Sequence, residues 1–307
     1  MKFLIQHGVG DPAWTPGILA PAAVKAFARA VEDSGWDALA FTDHPSPSGR
    51  WVDSGGEGSA DLFTSLGFCA AVTERVRLAS YVAVLPYHNG FALAHKVATL
   101  DHLSAGRVTL GLGSGYHRAE LFAQGADSAQ RRPQADETLD VMLRAWRERD
   151  MDYRGARHDA RGIRLQPHVL QRPHPPLWFH GNSDWGLEHA ARIGQGWIGM
   201  LTRGPSASTI RTRPLPDLDA IGRRAGDFIA ALGRHGRARS EVEIVAAGIW
   251  PMLDLRKGWS ADSCLADVHR LAGMGVDWIA LNLCGDDPAA SVETVRAFGE
   301  QVVRRVP

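Results

Sequence analysis

The stretch Asp37-Ala38-Leu39-Ala40-Phe41-Thr42, running into Asp43-His44-Pro45, decides the fold. It reads as a short buried strand that ends in polar, chemistry-bearing residues. Upstream, Pro21–Ser34 places Val24, Phe27, Ala28 and Val31 at i, i+3, i+4 and i+7, one face of a helix, with Gly35 where a helix stop is expected. Downstream, Asp61–Thr73 reads as the next helix. The unit is strand, polar mouth, helix, and it repeats in both directions.

Lys2–Gln6 is the first strand, and Val76–Leu85 the third, followed by a helix over Phe91–Ser104. Val108–Leu112 is the fourth, with its helix over Arg132–Arg149. Leu177–His180 and Asp184–Ile193, then Trp197–Leu201 and Asp217–Gly233, give the fifth and sixth units. Val242–Ile249 with Ala261–Met274 and Val276–Leu283 with Ala289–Arg304 complete eight. Eight such units predict an α/β fold with a parallel sheet and right-handed crossovers, closed as a (β/α)8 TIM barrel. Two irregular segments interrupt it: an insertion after helix 4, Asp150–Pro176, holding a short hairpin, and one after strand 6, Thr202–Pro216. The whole chain, 1–307, reads as a single barrel domain. An open doubly wound sheet is the rival, but no GxGxxG follows the first strand, which ends His7-Gly8-Val9-Gly10-Asp11-Pro12.

Lys+Arg and Asp+Glu are both 34, a balance that argues against a general nucleic-acid binder. No apolar run is long enough for a membrane helix, and the start, Met1 to His7, turns polar too soon for a signal peptide. Cys69, Cys264 and Cys284 lie far apart, as expected of reduced core residues in a cytoplasmic protein. No metal site is expected. The first strand carries one histidine, no HExxH or CxxC occurs, and His158, His168 and His174 fall in the insertion, where they read as surface residues. No Gly-x-Ser-x-Gly elbow surrounds Ser114.

In a closed parallel barrel, functional groups gather at the C-terminal ends of the strands. At the end of strand two, Asp43 and His44 pair a carboxylate with an imidazole, able to bind a polar ring edge and move a proton; a loop cap and a solvated histidine explain them as well. Gly111-Leu112-Gly113-Ser114-Gly115 ends strand four, where glycines admit close backbone approach to a ligand, or simply turn the chain. Gly181-Asn182-Ser183 lies just before a helix and suits a phosphate; helix capping is the plain alternative. Thr202 and Arg203 flank the same mouth after strand six and offer a hydroxyl and a charge. Pro45–Ala60 and Thr202–Pro216 border the mouth and shape its pocket.

Five segments together, Gly35–His44, Thr73–Ala79, Ala98–Gly113, Gln171–Ser183 and Ala190–Trp197, resemble the luciferase-like monooxygenase superfamily, and within it the deazaflavin (coenzyme F420)-dependent oxidoreductases. The runs Thr99-Leu100-Asp101-His102-Leu103-Ser104-Ala105-Gly106-Arg107 and Arg172-Pro173-His174-Pro175-Pro176 carry the resemblance jointly. It implies a flavin-like tricycle at the C-terminal face, with Asp43 and His44 beside the reactive ring and His44 as proton donor or acceptor. Tyr81 and Val82 match the strained, often cis, peptide that backs the ring, Ser114 and Gly115 a cofactor contact, and Gly181, Asn182 and Ser183 the phosphate turn. Tyr116-His117 stand where the family often has an acidic residue or Trp; Glu120 follows close by, and Trp51 is a candidate substrate-side aromatic.

The resemblance implies hydride transfer between F420 and a small organic substrate. One alternative keeps the fold and uses reduced FMN with oxygen, fed by a partner flavin reductase. Another is a non-catalytic flavin-binding barrel. The resemblance also implies a homodimer.

Overall fold

The computed structural model describes residues 1–8, 17–203 and 210–306. Of the expected loops, 9–16 after the first strand and 204–209 within Thr202–Pro216 lie outside the described residues.

The strands are β1 (Lys2–Gln6), β2 (Ala38–Phe41), β3 (Arg77–Val84), β4 (Val108–Gly113), β5 (Met151–Arg154), β6 (Asp159–Ile163), β7 (Leu177–His180), β8 (Gly196–Met200), β9 (Glu243–Ala247) and β10 (Trp278–Asn282). Eight of them close a barrel in the order β1-β10-β9-β8-β7-β4-β3-β2, while β5 and β6 pair antiparallel as the inserted hairpin. Every barrel pairing is parallel, and closure is made by β1 on β10, with Gln6 opposite Asn282. The helices are α1 (Pro21–Asp33), α2 (Gly49–Asp53), α3 (Leu62–Val72), α4 (Gly90–Leu103), α5 (Arg118–Ala123), α6 (Arg131–Arg147), α7 (Asp184–Ile193), α8 (Leu218–Arg234), α9 (Ala261–Gly273) and α10 (Pro288–Gln301).

The period of two along a strand sorts the core into two regions. In β2, Ala38 and Ala40 point into the barrel, and Leu39 and Phe41 point out to the helices. The interior holds Trp178 and Trp278, ring centroids 5.1 Å apart, surrounded by Ala38, Ala40, Ala79 and Ala247. Small alanines opposite the tryptophans leave room for the two large rings inside a narrow barrel.

Three features differ from the expectation. α2 forms inside Pro45–Ala60, started by Ser48, whose hydroxyl accepts from Trp51 N–H at 3.3 Å. A second short helix, α5, follows β4. His158 is buried rather than on the surface: Glu137 accepts from its N–H and its Nδ1, and its Nε2 accepts from Gly90 N–H at 2.9 Å, tying the hairpin to α4 and α6.

Candidate functional site

A cavity of ≈ 330 Å³ opens at the C-terminal ends of the strands. One wall is built around His44, which is 7% exposed. Its Nδ1–H donates to Glu120 Oε2 at 2.8 Å, and the Glu120 side chain is fully buried on α5. Tyr87 O–H donates to the same oxygen at 3.1 Å, and Ser46 N–H to the other at 3.0 Å. A carboxylate can only accept, so the neutral imidazole keeps its hydrogen on Nδ1 and presents the Nε2 lone pair as an acceptor. Around Nε2 stand Tyr116 Oη at 3.4 Å and Glu57 Oε1 at 3.6 Å. Burial pulls the His44 pKa down, but the Glu120 hydrogen bond and the charges of Glu57, Glu120 and Asp43 outweigh it, so the pKa stands above the ordinary histidine value.

Asp43 is buried beside His44 in sequence and does not line the cavity. Its Oδ2 accepts from Val84 N–H at 2.9 Å and from His88 Nε2–H at 2.8 Å, holding the end of β3. That strand end is irregular. The β3–β4 register shifts between Ser80 and Ala83, and the Tyr81–Val82 peptide is cis. Tyr81 and Val82 line the cavity, as do Ser114 and Gly115. The glycines of β4 serve this bulge: a Cβ on Gly111 would stand 2.3 Å from Ser80 O, and one on Gly113 3.0 Å from Val82 Cγ2. Gly111 admits the neighbouring backbone and Gly113 the Val82 side chain, while Gly113 itself also lines the cavity.

Across the cavity, Gly181, Asn182 and Ser183 form the turn into α7. Gly181 has φ +123°, and nothing lies within 4 Å of where its Cβ would be. The Asn182 side chain is turned inward: its amide donates to Met200 O and Arg213 O and accepts from Met200 N–H. Ser183 is the N-cap residue, and its hydroxyl makes no capping bond, which leaves the first-turn N–H groups of α7 without that partner. Arg131, Arg132 and Arg211 line the same end. Among the described residues none of these three makes an ion pair. Burial, then repulsion from Arg132, Arg211 and Arg118, holds the Arg131 pKa below the ordinary arginine value.

Thr202 lies off the cavity. It is buried, and its Oγ1 accepts from Leu215 N–H at 2.8 Å, closing the base of the loop whose far limb brings Ile210, Arg211 and Thr212 to the site. Gln6, Asn282 and His180 also line the cavity. Gln6 Nε2 is a buried donor without a partner. His180 is half-buried against the cavity, and desolvation lowers its pKa to about 4, so it is a neutral imidazole at pH 7.

The structure thus joins His44, Tyr81, Val82, Ser114, Gly115 and the 181–183 turn in one cavity, and leaves Asp43 and Thr202 behind its wall. Trp51 lines it and meets Tyr116 edge-on at 6.0 Å. Glu57, Tyr87, Gln6 and the three arginines carried no role in the sequence reading. The Arg131-Arg132 doublet was a usable signal; the others have no local pattern.

Over residues 1–249 the chain matches the family model described as luciferase-like monooxygenase. An uncharacterized protein of Mycobacterium bovis is 32% identical over 228 residues, 69% of this chain and 75% of that one. An F420-dependent glucose-6-phosphate dehydrogenase of Beutenbergia cavernae is 32% identical over 191 residues, 60% of this chain and 54% of the relative. Among solved structures, the monooxygenase RslO1 from Streptomyces bottropensis has a TM-score of 0.83 at 21% identity, with 100% of both chains covered. An F420-dependent secondary alcohol dehydrogenase has 0.75 at 15% identity, with 98% of each covered. The family match runs from β1 past the end of β9 and takes in all the cavity's elements except β10, so the chain belongs to the luciferase-like monooxygenase family and is an oxidoreductase.

Proposed function

We propose that the protein moves a hydride between coenzyme F420 and the carbinol or carbonyl carbon of a small organic substrate, with His44 taking or giving the accompanying proton. The observation that carries this reading is the buried imidazole itself: Nδ1 tied to Glu120, Nε2 open to the cavity. A base oriented this way accepts a hydroxyl proton as the adjacent C–H leaves with its electron pair. When bound, the deazaflavin supplies the carbon that accepts or gives the hydride.

The residues present fit such a cofactor. Gly181 leaves open space in the turn before α7, and uncapped N–H groups there suit a phosphate. Gln6 Nε2 offers an unused donor to a polar ring edge or substrate. The three arginines favour F420 over FMN. F420 carries a phosphodiester followed by several carboxylates, FMN one phosphate, and a crowded set of guanidiniums suits the longer polyanion. The F420-dependent relative supports the same choice.

Equilibrium titration of F420 and of FMN, each followed by fluorescence, tests the proposal. F420 is expected to bind, more weakly at high salt and more weakly in Arg132→Ala or Arg211→Ala. Binding of FMN with none of F420 would overturn it in favour of the reduced-flavin monooxygenase fed by a separate reductase.

A further inference from the structure

The hydride-transfer reading leaves one cavity acid without a task. Glu57 sits in the glycine-rich segment after α2, and its backbone oxygen accepts from Trp51 Nε1–H at 2.9 Å, which fastens that segment beside the site. Its carboxylate faces His44 Nε2 at 3.6 Å and makes no other ion pair among the described residues. His44 therefore has a carboxylate at each ring nitrogen.

The two carboxylates differ. Glu120 is sealed in, at 0% exposure, and accepts from His44, Tyr87 and Ser46. Glu57 accepts no such set of donors, and 29% of its side chain is exposed while it lines the cavity. A proton that reaches His44 Nε2 finds no way out through Glu120, whereas Glu57 stands beside that nitrogen and touches solvent.

We propose that Glu57 is the proton exit of this site, the group that carries the proton between His44 Nε2 and water. The chemistry rests on the hydride-transfer reading, while the path itself belongs to this chain's residues. Where an alcohol is oxidised at this site, its O–H bond breaks and C=O forms, and a bound oxidised deazaflavin would take the C–H hydrogen with its electron pair. The hydroxyl proton bonds to His44 Nε2. That N–H then breaks as an O–H forms on Glu57, and Glu57 releases the proton to water and returns to a carboxylate. Reduction runs the same steps backwards. Glu57 acts through His44 and is a positioning and relay residue.

The groups facing this pair are Asp43 behind β2, Tyr81 on β3, Tyr87 after it, Tyr116 and His117 after β4, and Glu120 on α5. Burial pushes the Glu57 pKa up, the nearby His44 pulls it back, and Glu120 adds to the rise. Tyr116 is the competing route, since its hydroxyl is also near Nε2.

Histidine-labelled protein without cofactor gives the test. NMR follows the His44 ring titration and the exchange of its Nε2 proton with water in wild type, Glu57→Gln, Glu57→Asp and Tyr116→Phe. Loss of the anion in Glu57→Gln should lower the His44 pKa. It should also slow exchange by about tenfold or more, and Glu57→Asp should restore part of both; direct acid–base groups contribute about 10²–10⁴-fold. Unchanged titration and exchange in folded Glu57→Gln would overturn the proposal. So would slowing by Tyr116→Phe with none by Glu57→Gln. F420 titration of the same proteins keeps the two readings apart. Wild type that fails to bind F420 removes the hydride-transfer reading, whatever His44 does. Unchanged His44 behaviour in protein that binds F420 removes the proton exit alone.

Discussion

Asp43 and His44 are consecutive residues with different surroundings, and the imidazole alone lines the cavity. Asp43→Ala would strip the acceptor from Val84 N–H and His88. Hydrogen bonds to a charged group contribute about 1.5–3 kcal/mol, so we expect a loss of that size in urea denaturation, with weaker F420 binding as the end of β3 shifts. His44→Ala should bind F420 and lose about 10²–10⁴-fold in single-turnover reduction of the bound cofactor by an alcohol. An unaltered rate in folded His44→Ala would exclude the proton-transfer role. The base must be unprotonated for oxidation, so the wild-type rate should climb as pH rises through the raised His44 pKa. Glu120→Gln removes the anion that favours imidazolium, and this limb should move to lower pH in a stopped-flow pH series.

At the scale of elements, the barrel works through joints rather than through strands. The turn 181–183 joins β7 to α7, and its conformation is set by Asn182, which pins it to Met200 and Arg213. Gly181 at φ +123° has a backbone that side chains rarely adopt, and open space around it. In Gly181→Val the cost therefore comes from backbone strain, with no neighbour to clash against, and the new side chain would occupy the room left for a phosphate. We expect F420 affinity to fall at least about tenfold, since one lost hydrogen bond already costs about 1.5 kcal/mol. Circular dichroism should still report a folded barrel. Wild-type affinity in the variant would mean that the phosphate binds elsewhere.

For the whole molecule, burial of histidine sets an acid limit. His7 stacks on Phe41 at 4.7 Å, and burial lowers its pKa to about 4 despite a hydrogen bond with the Gly8 backbone. His180 is lowered to about 4 by burial as well. Both titrate near 6.5 when unfolded. Between pH 6.5 and about 4 the unfolded chain binds these protons and the folded chain does not. Stability is full above that window and falls as pH falls through it, by about 1.4 kcal/mol per pH unit for each group. His44 has the opposite sign: its contribution is present below the unfolded value and is lost as pH rises through its raised pKa. His7→Phe keeps an aromatic ring against Phe41 and removes one acid-sensitive group. Urea midpoints at pH 7, 6 and 5 should fall less steeply in this variant. An equal slope would show that His7 is not buried neutral.

The eight-unit alternation, the strand that ends at Asp43-His44, the turn at 181–183 and the hairpin insertion were all legible in the sequence. Each is a pattern written within about twenty residues: a period of two or 3.6, a helix stop, a glycine before a helix. Eight right-handed units leave one closed arrangement, so local periodicity determined the barrel. It could not tell which of two adjacent residues faces the cavity, because β2 ends at Phe41 and the path of the chain beyond it depends on what packs there. Nor could it pair His44 with Glu120, 76 residues away, or with Glu57, in a segment with no steady period. Arg131, at the start of α6, and Arg211, in the loop after β8, likewise meet at the mouth. Those partners are brought together only by barrel closure, and residues distant in sequence share no local spacing that would announce the contact.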